Sequence, residues 1–353
     1  MARGNQLSYL MMQKLTEQYE NGKGKSKHEY KKETTRRIKM ANKRAAKGLE
    51  HEDPKKIDAA KDLIFSQSTY DSYKRWCKNY CKFIKETYGV SRMSIEDSKQ
   101  YIDAYVEYMK EKEYSPYSIH LALSAVCKAT GEYLIDHPHP RRNTKIVRSS
   151  NEKEVAHDKY NEKNPVYEAN LILGLRRGAL GRLCAKDIVL ITDDKGDPVR
   201  AEVRVKSKGG KLNIQTFYPE YEDEFAFVLS LREGKQPGER IFDKTKFGDI
   251  DLHDARKRRA QDIYERVVSE IENNPERKQW YIEETKRMYY RDKQKELTID
   301  LDKEIHTRGT HKKILQEQGV DVTFSKLACL FVSESSLAHS RHAVSQYFYI
   351  AKP

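Results

Sequence analysis

Ala201 to Thr216 reads AEVRVKSKGGKLNIQT. Ala201, Val203 and Val205 alternate with Glu202, Arg204 and Lys206, the period-two pattern of a half-buried strand. Ser207-Lys208-Gly209-Gly210 is tight-turn chemistry, because glycine takes up positive φ without steric cost. Leu212, Ile214 and Thr216 then alternate again and mark the returning strand. Just upstream, the apolar run Ile188–Thr192 stops at the turn-forming Asp193-Asp194-Lys195-Gly196-Asp197. Further up, Tyr167 to Leu183 has the apolar texture of a helix, interrupted by GLRRGALGR. Helical patterns resume at Asp251 and mostly persist to the C-terminus. A hairpin set among helices predicts a mainly α chain with a small antiparallel β-sheet.

The stretch before this region is helical throughout. Tyr73, Trp76, Tyr80, Phe83, Ile84 and Tyr88 recur at three- and four-residue spacing and mark one buried face of a helix, with Ser68 as its expected cap. Ser94 followed by Asp97 opens a second helix carrying Tyr101, Ile102, Tyr105, Val106 and Met109. Ser115-Pro116 opens a third, in which Ile119, Leu121, Leu123, Val126 and Cys127 are apolar. Residues 61–135 therefore read as a small helical bundle. Residues 136–164, rich in charge, Pro, Ser and Asn and without periodicity, read as a linker. Residues 1–60 read as a basic N-terminal arm, with 15 Lys and Arg against 8 Asp and Glu.

The whole chain of 353 residues has 67 Lys+Arg against 54 Asp+Glu, a formal charge of +13. No window approaches the roughly 18 consecutive apolar residues of a spanning helix, which excludes that kind of membrane protein. The polar start has no apolar signal core, so a cytoplasmic location is expected, associated with the nucleoid if the source is bacterial or phage. Five unmotifed cysteines (77, 81, 127, 184, 329) fit a reducing compartment. Cys77 and Cys81 lie one turn apart, but with no matching pair elsewhere packing explains them better than a metal. The excess positive charge calls for a polyanionic partner, with nucleic acid in first place.

Four spaced signals lie in residues 165–353. The first is Gly174-Leu175-Arg176-Arg177, where a planar guanidinium follows an apolar run and suits two phosphate oxygens at once. The second is the hairpin tip Lys206-Ser207-Lys208-Gly209-Gly210-Lys211, whose glycines admit close approach of a backbone to DNA. The third is His253-Asp254-Ala255-Arg256 at a helix start, with His253 and Arg256 three apart on one face. The fourth is Leu337-Ala338-His339-Ser340-Arg341, followed by Tyr347-Phe348-Tyr349. A phenol near a positive cluster ionises more readily and becomes a nucleophile. Each signal alone reads as an ordinary surface Arg, basic turn or helix end.

In this order, GLRRGAL, VKSKGGK, LHDAR and LAHSR…YFY resemble the tyrosine recombinase (phage integrase) family. Residues 61–135 resemble that family's helical core-binding domain, including Ser66 to Tyr70 and the S-P-x-S-I turn at Ser115–Ile119. The resemblance implies a helical core-binding domain plus a mixed α/β catalytic domain over residues 165–353. It implies a site-specific recombinase that cleaves and rejoins DNA through a 3′-phosphotyrosine and a Holliday junction, integrating or excising a mobile element. Arg176 and Arg256 would clamp the phosphate, Lys208 would protonate the 5′ leaving oxygen, and His253 would assist proton transfer. His339 would donate to the phosphate and Tyr349 would be the nucleophile. Lys206, Lys211, Arg177, Lys257 and Arg341 would contact DNA. The partners implied are double-stranded DNA, a homo-tetramer on synapsed sites and accessory DNA-bending proteins, with no membrane, metal or cofactor.

Three features depart from the family. Its acidic residue three positions after the first Arg is Ala179 here. Its usual spacing from the fourth-motif His lands on Phe348, so the alternatives to Tyr349 are a substituted nucleophile position at 348, and Tyr347. Arg256 and Tyr349 lie 93 residues apart, much farther than in the family, which implies an insertion at about 271–318. Trp280, Ile282, Met288 and Tyr289 could stripe a helix there, but the segment's polarity favours a solvated excursion. Two other functions remain open: a catalytically inactive DNA-binding architectural or regulatory protein, for which Ala179 and Phe348 speak, and a topoisomerase-like relaxing enzyme.

Overall fold

The computed structural model describes residues 6–140, 164–206, 212–317, 319, 321–337 and 350. The chain is mainly α, with a three-stranded and a two-stranded antiparallel sheet. It divides into two units, Met1–Ile146 and Val147–Pro353.

In the first unit, α1 (Leu7–Gly22) places Leu7, Met11 and Leu15 in the core at 2%, 0% and 0% exposure. Four-residue spacing keeps all three on one helix face. This helix is therefore core and not part of a solvated arm. One large apolar residue per turn is enough to seat it, and the surrounding charge hides so sparse a stripe. Next, α2 (Lys27–Ala45) buries only Ala41. It rests on the segment after it through the Tyr30–Phe65 ring contact and a 3.0 Å bond from the Ala59 N–H to Thr34 Oγ1. The bundle then runs through α3 (Gln67–Tyr88), α4 (Ile102–Glu111) and α5 (Pro116–Thr130).

Ser66, not Ser68, caps α3, its hydroxyl accepting from the Thr69 N–H. Ser94 caps only a single turn, Ile95–Ser98, and a short 3₁₀ turn intervenes before α4. Ser115 caps α5 with Pro116 in the first turn, where the missing N–H costs nothing. Tyr80, Phe83, Ile84, Tyr105, Met109, Ile119, Leu123 and Val126 form the core, and Leu121 faces outward. Each such buried side chain contributes about 1.5–3 kcal/mol. Cys77 is fully buried and donates to the Ala125 carbonyl. Burial pushes the Cys81 thiol up to about 12.

The second unit opens with α6 (Pro165–Leu173), where the Asn164 side chain accepts from the Val166 N–H. The helix stops at Gly174, whose φ of 57° is left-handed. The helical reading of Tyr167–Leu183 thus breaks just before the first Arg. Arg176 lies in extended backbone ahead of a short helix, α7 (Arg177–Leu180). Strands β1 (Ile188–Thr192), β2 (Pro198–Lys206) and β3 (Leu212–Phe217) follow, paired in sequence order.

The register of the hairpin changes the reading of β3. Val205 pairs with Asn213, Val203 with Gln215 and Ala201 with Phe217. Directly paired residues share a sheet face, so Asn213, Gln215 and Phe217 point to the core with the valines, while Leu212 is exposed. The polar residues of β3 are the inward ones because pairing across the tip sets the register, and a shift of one residue exchanges the faces. Glu202, on the opposite face, is buried with Arg200 at 3.0 Å and Arg204 at 2.7 Å.

Next come α8 (Glu222–Ser230), the long α9 (Leu252–Asn273) and α10 (Pro275–Lys293). A small ribbon, β4 (Glu304–His306) with β5 (Thr323–Ser325), brackets α11 (Gly309–Glu317). The described chain then runs through α12 (Lys326–Val332) into a π-helical turn, Ser333–Leu337. The segment expected as a solvated excursion at 271–318 is packed along α10, where Tyr281, Thr285 and Met288 are fully buried. Trp280 and Ile282 lie half-buried beside them against the same core. Among the described residues no helix is long and apolar enough to cross a membrane, and no group of three His, Cys, Asp or Glu is placed to hold a metal.

Candidate functional site

The first motif is held from behind by Asn170, a polar residue in the apolar helix α6. Its side chain is fully buried. Oδ1 accepts from the Leu175 N–H at 2.9 Å, and Nδ2 donates to the Leu175 and Leu252 carbonyls, each at 3.1 Å. Leu175 immediately precedes Arg176, and Leu252 immediately precedes His253. The Gly174 N–H caps the helix on the Asn170 carbonyl at 2.7 Å. Gly174 also needs to be glycine for space. A Cβ there would come within 3.0 Å of Ser336 Oγ and 3.1 Å of Arg259 Cγ.

The third motif starts at the N-terminus of α9. Asp251 caps it, Oδ1 accepting from the N–H groups of His253 at 2.9 Å and Asp254 at 3.0 Å. Asp254 itself accepts from Tyr167 Oη at 2.7 Å and Arg258 Nε at 2.8 Å. Arg176, Arg177 and His253 line one open cleft of about 410 Å³ with residues 249–252. The Arg176 guanidinium has no hydrogen-bond or ion-pair partner among the described residues, and His253 is exposed.

Arg256 departs from the expectation of a clamp open to a ligand. It is fully buried, with Nη1 donating to the Gly174 carbonyl and Nη2 to the Leu337 carbonyl at 2.8 Å. The one-face spacing with His253 puts the imidazole at the rim and the guanidinium in the interior. In that position Arg256 joins the first motif to Leu337, the opening residue of the fourth. Arg177, expected to contact DNA, instead donates to the carbonyls of Gly248 at 3.0 Å and Ile250 at 2.5 Å. It ties down the loop that leads into α9. Lys257 is half-buried beside Arg256 on α9.

The hairpin reaches the same place. Lys206 is exposed at the end of β2, and its carbonyl accepts from Arg182 Nη2 at 2.8 Å. On β3, Gln215 Nε2 donates to the Ser336 carbonyl at 2.9 Å. Lys208, Lys211, His339, Arg341, Tyr347, Phe348 and Tyr349 lie outside the described residues. Behind the cleft, Glu224 on α8 meets the fork of Arg259 at 2.6 and 2.5 Å and Arg266 Nη1 at 2.8 Å. Burial pushes this carboxyl up, but the two arginines outweigh burial and hold it below the usual carboxylate range. Ala179 is 1% exposed in the apolar core.

Asn170, Arg182 and Gln215 were not singled out from the sequence. Asn170 carried the clearest signal, an amide within the apolar run VYEANLILG beside a glycine stop. Buried amides are kept where they satisfy backbone groups.

No protein-family model and no curated protein matches this chain. Among solved structures it is similar to the crystal structure of XerA recombinase. That match is 15% identical, covers 80% of this chain and 88% of the other, and has a TM-score of 0.21.

Proposed function

We propose that this chain is a DNA strand-transfer enzyme of the tyrosine recombinase kind. The observation that carries the reading is that Arg256 ties the first motif, at Gly174, to Leu337, the opening residue of the fourth, while the returning strand of the hairpin bonds the neighbouring Ser336. Gly174, Arg256, Leu337 and the hairpin through Gln215 and Ser336 are stitched together by the bonds described above. On this reading Tyr349 Oη, or else Tyr347 Oη, attacks phosphorus while His253 takes up its proton, and the phosphorus–O5′ bond breaks; Phe348, which has no hydroxyl, marks at most a substituted nucleophile position. Lys208 gives its proton to the leaving 5′ oxygen, and a second 5′-hydroxyl later reverses the exchange. Arg176 and His253 at the cleft meet the phosphate, His339 adds a further donor, and Arg256, buried on the Gly174 and Leu337 carbonyls, holds the segments in place. Placed donors of this kind supply about 3–4 kcal/mol each. The wider reading is a tetramer that integrates or excises a mobile element.

The first unit offers a matching surface. Arg75, Trp76, Lys78, Asn79, Lys82 and Tyr114 line an open cleft of about 340 Å³. Arg75, Lys78 and Lys82 are spaced to share one face of α3. Cations interleaved with aromatic rings suit phosphates and sugar or base faces.

A second reading, a DNA-binding protein of the same fold without catalysis, draws on Ala179 in the core and on the buried, engaged fork of Arg256. Incubation with nicked suicide DNA separates the two. The strand-transfer reading expects a covalent protein–DNA adduct, with the phosphotyrosine in the peptide between Arg341 and Lys352. Tight binding without an adduct across cognate sites supports the second reading and overturns the first.

A further inference from the structure

We infer that Asn170 is a positioning residue that sets Arg176 against His253, an inference that rests on the proposed phosphate chemistry of that cleft. The two cleft side chains belong to segments 77 positions apart in sequence. One amide spans the gap between those segments. Its two N–H groups go to the carbonyls of Leu175 and Leu252, and its oxygen takes the Leu175 N–H. Two acceptors on one side and a donor on the other leave a single consistent orientation of the amide. All three partners are backbone, so they do not move as side chains do. Each partner residue is also the immediate chain neighbour of a cleft side chain.

The chemistry of this position is narrow. Aspartate would set a second oxygen against two carbonyl oxygens. Leucine would match the volume but leave the Leu175 carbonyl and N–H without partners and the Leu252 carbonyl with only its bond inside α9. The fold does not need an amide here for packing alone, since Val166, Tyr167 and Leu173 already seat α6 in the apolar core. What the amide adds is register between the loop at Gly174–Arg176 and the first turn of α9. Displacements near 1 Å at a reacting centre lower rates by about 100-fold.

The test is a double-mutant cycle of Asn170→Leu with Arg176→Ala in the full chain, with Asn170→Ser as a second variant that keeps a donor and shortens its reach. Thermal unfolding selects a temperature at which all variants are folded. Adduct formation at saturating nicked DNA is expected to slow by about 10- to 100-fold in Asn170→Leu. In the Arg176→Ala background the same change is expected to cost less than about twofold, because the group it acts through is gone. The same four proteins are titrated with DNA across salt. Arg176→Ala is expected to lower the salt slope by about one, Asn170→Leu to lower it similarly, and the pair no further. Additive losses in either assay, or an unaltered rate in both Asn170 variants, overturn the inference. Absence of any wild-type adduct with a non-additive salt cycle sinks the strand-transfer function while supporting Asn170's role.

Discussion

Glu224 is the acidic side chain that balances two arginines of α9, and Arg259 among them lies one turn beyond Arg256. Its side chain is 20% exposed and that of Arg259 7%, so the pair is only weakly screened by solvent. Because the arginines hold the folded carboxyl below its ordinary value near 4.5, its stabilisation is present above that value. It is lost as pH falls through the lower folded value. Glu224→Gln is therefore expected to lower stability at pH 7 by about 2–3 kcal/mol, the size of hydrogen bonds to charged groups. Its unfolding midpoint should then vary less with pH below about 4.5 than that of the wild type. Urea titrations at pH 3.5, 5 and 7 check both, and parallel pH profiles would remove Glu224 from the acid response. Residue-level legibility follows the same physics. Arg176, His253 and Arg256 stood out only together, Arg176 after an apolar run and His253 with Arg256 by their spacing of three at a helix start. Their division into rim and interior did not, since it depends on where the carbonyls of Gly174 and Leu337 arrive from distant parts of the chain.

Helix α10 shows how an element can be core while its composition is polar. Tyr281, Thr285 and Met288 occupy one face at spacings of four and three, and Tyr281 Oη bonds Tyr221 at 2.7 Å and Glu270 at 3.0 Å. Trp280 and Ile282 flank this face half-buried, and most of the remaining surface is charged or polar. Met288→Ala is expected to destabilise the chain by about 2–5 kcal/mol, the usual cost of truncating a buried Met. Tyr290→Ala, at a position 54% exposed, is expected to change it by less than about 0.5 kcal/mol. Chemical denaturation of the two variants side by side measures the contrast, and equal small effects would restore the solvated excursion. Elements with wide apolar stripes or regular apolar runs, such as α3, α5, β1 and β2, were legible at nearly their observed extents, whereas the helix expected from Ser94 breaks at a 3₁₀ turn before α4. The narrow stripes of α1 and α10 were not, because one apolar residue per turn falls below the contrast that charge imposes. The inward face of β3 was also hidden, since register is a property of the pair of strands and not of either alone.

Charge at the scale of the molecule is unevenly distributed. Helix α2 has eight Lys and Arg against two Glu, and Lys32, Arg36, Lys39 and Lys43 follow one another at spacings of four, three and four. That spacing sets them on a single face, and all four are exposed. The opposite side carries Tyr30, Thr34 and Ala41, which seat the helix on its own unit. Such a ridge adds little to folding, because exposed like charges repel and are solvated. It suits a polyanion whose counterions are released on binding. Conversion of these four residues to Gln is expected to leave thermal unfolding nearly unaltered. If the ridge lies on duplex DNA, removing each cation from its phosphate lowers the slope of log affinity against log salt by about 0.9. The quadruple variant should then reduce the slope by about 3–4, most visibly by fluorescence anisotropy between about 50 and 200 mM salt. If the chain is the strand-transfer enzyme proposed above, cleavage of DNA already bound at low salt should proceed at the wild-type rate, since the ridge belongs to the first unit and the cleft to the second. An unchanged slope would take α2 out of the DNA interface and leave the excess charge to the α3 face. A reduced slope with slowed cleavage at saturation would mean that this ridge also orders the DNA for chemistry.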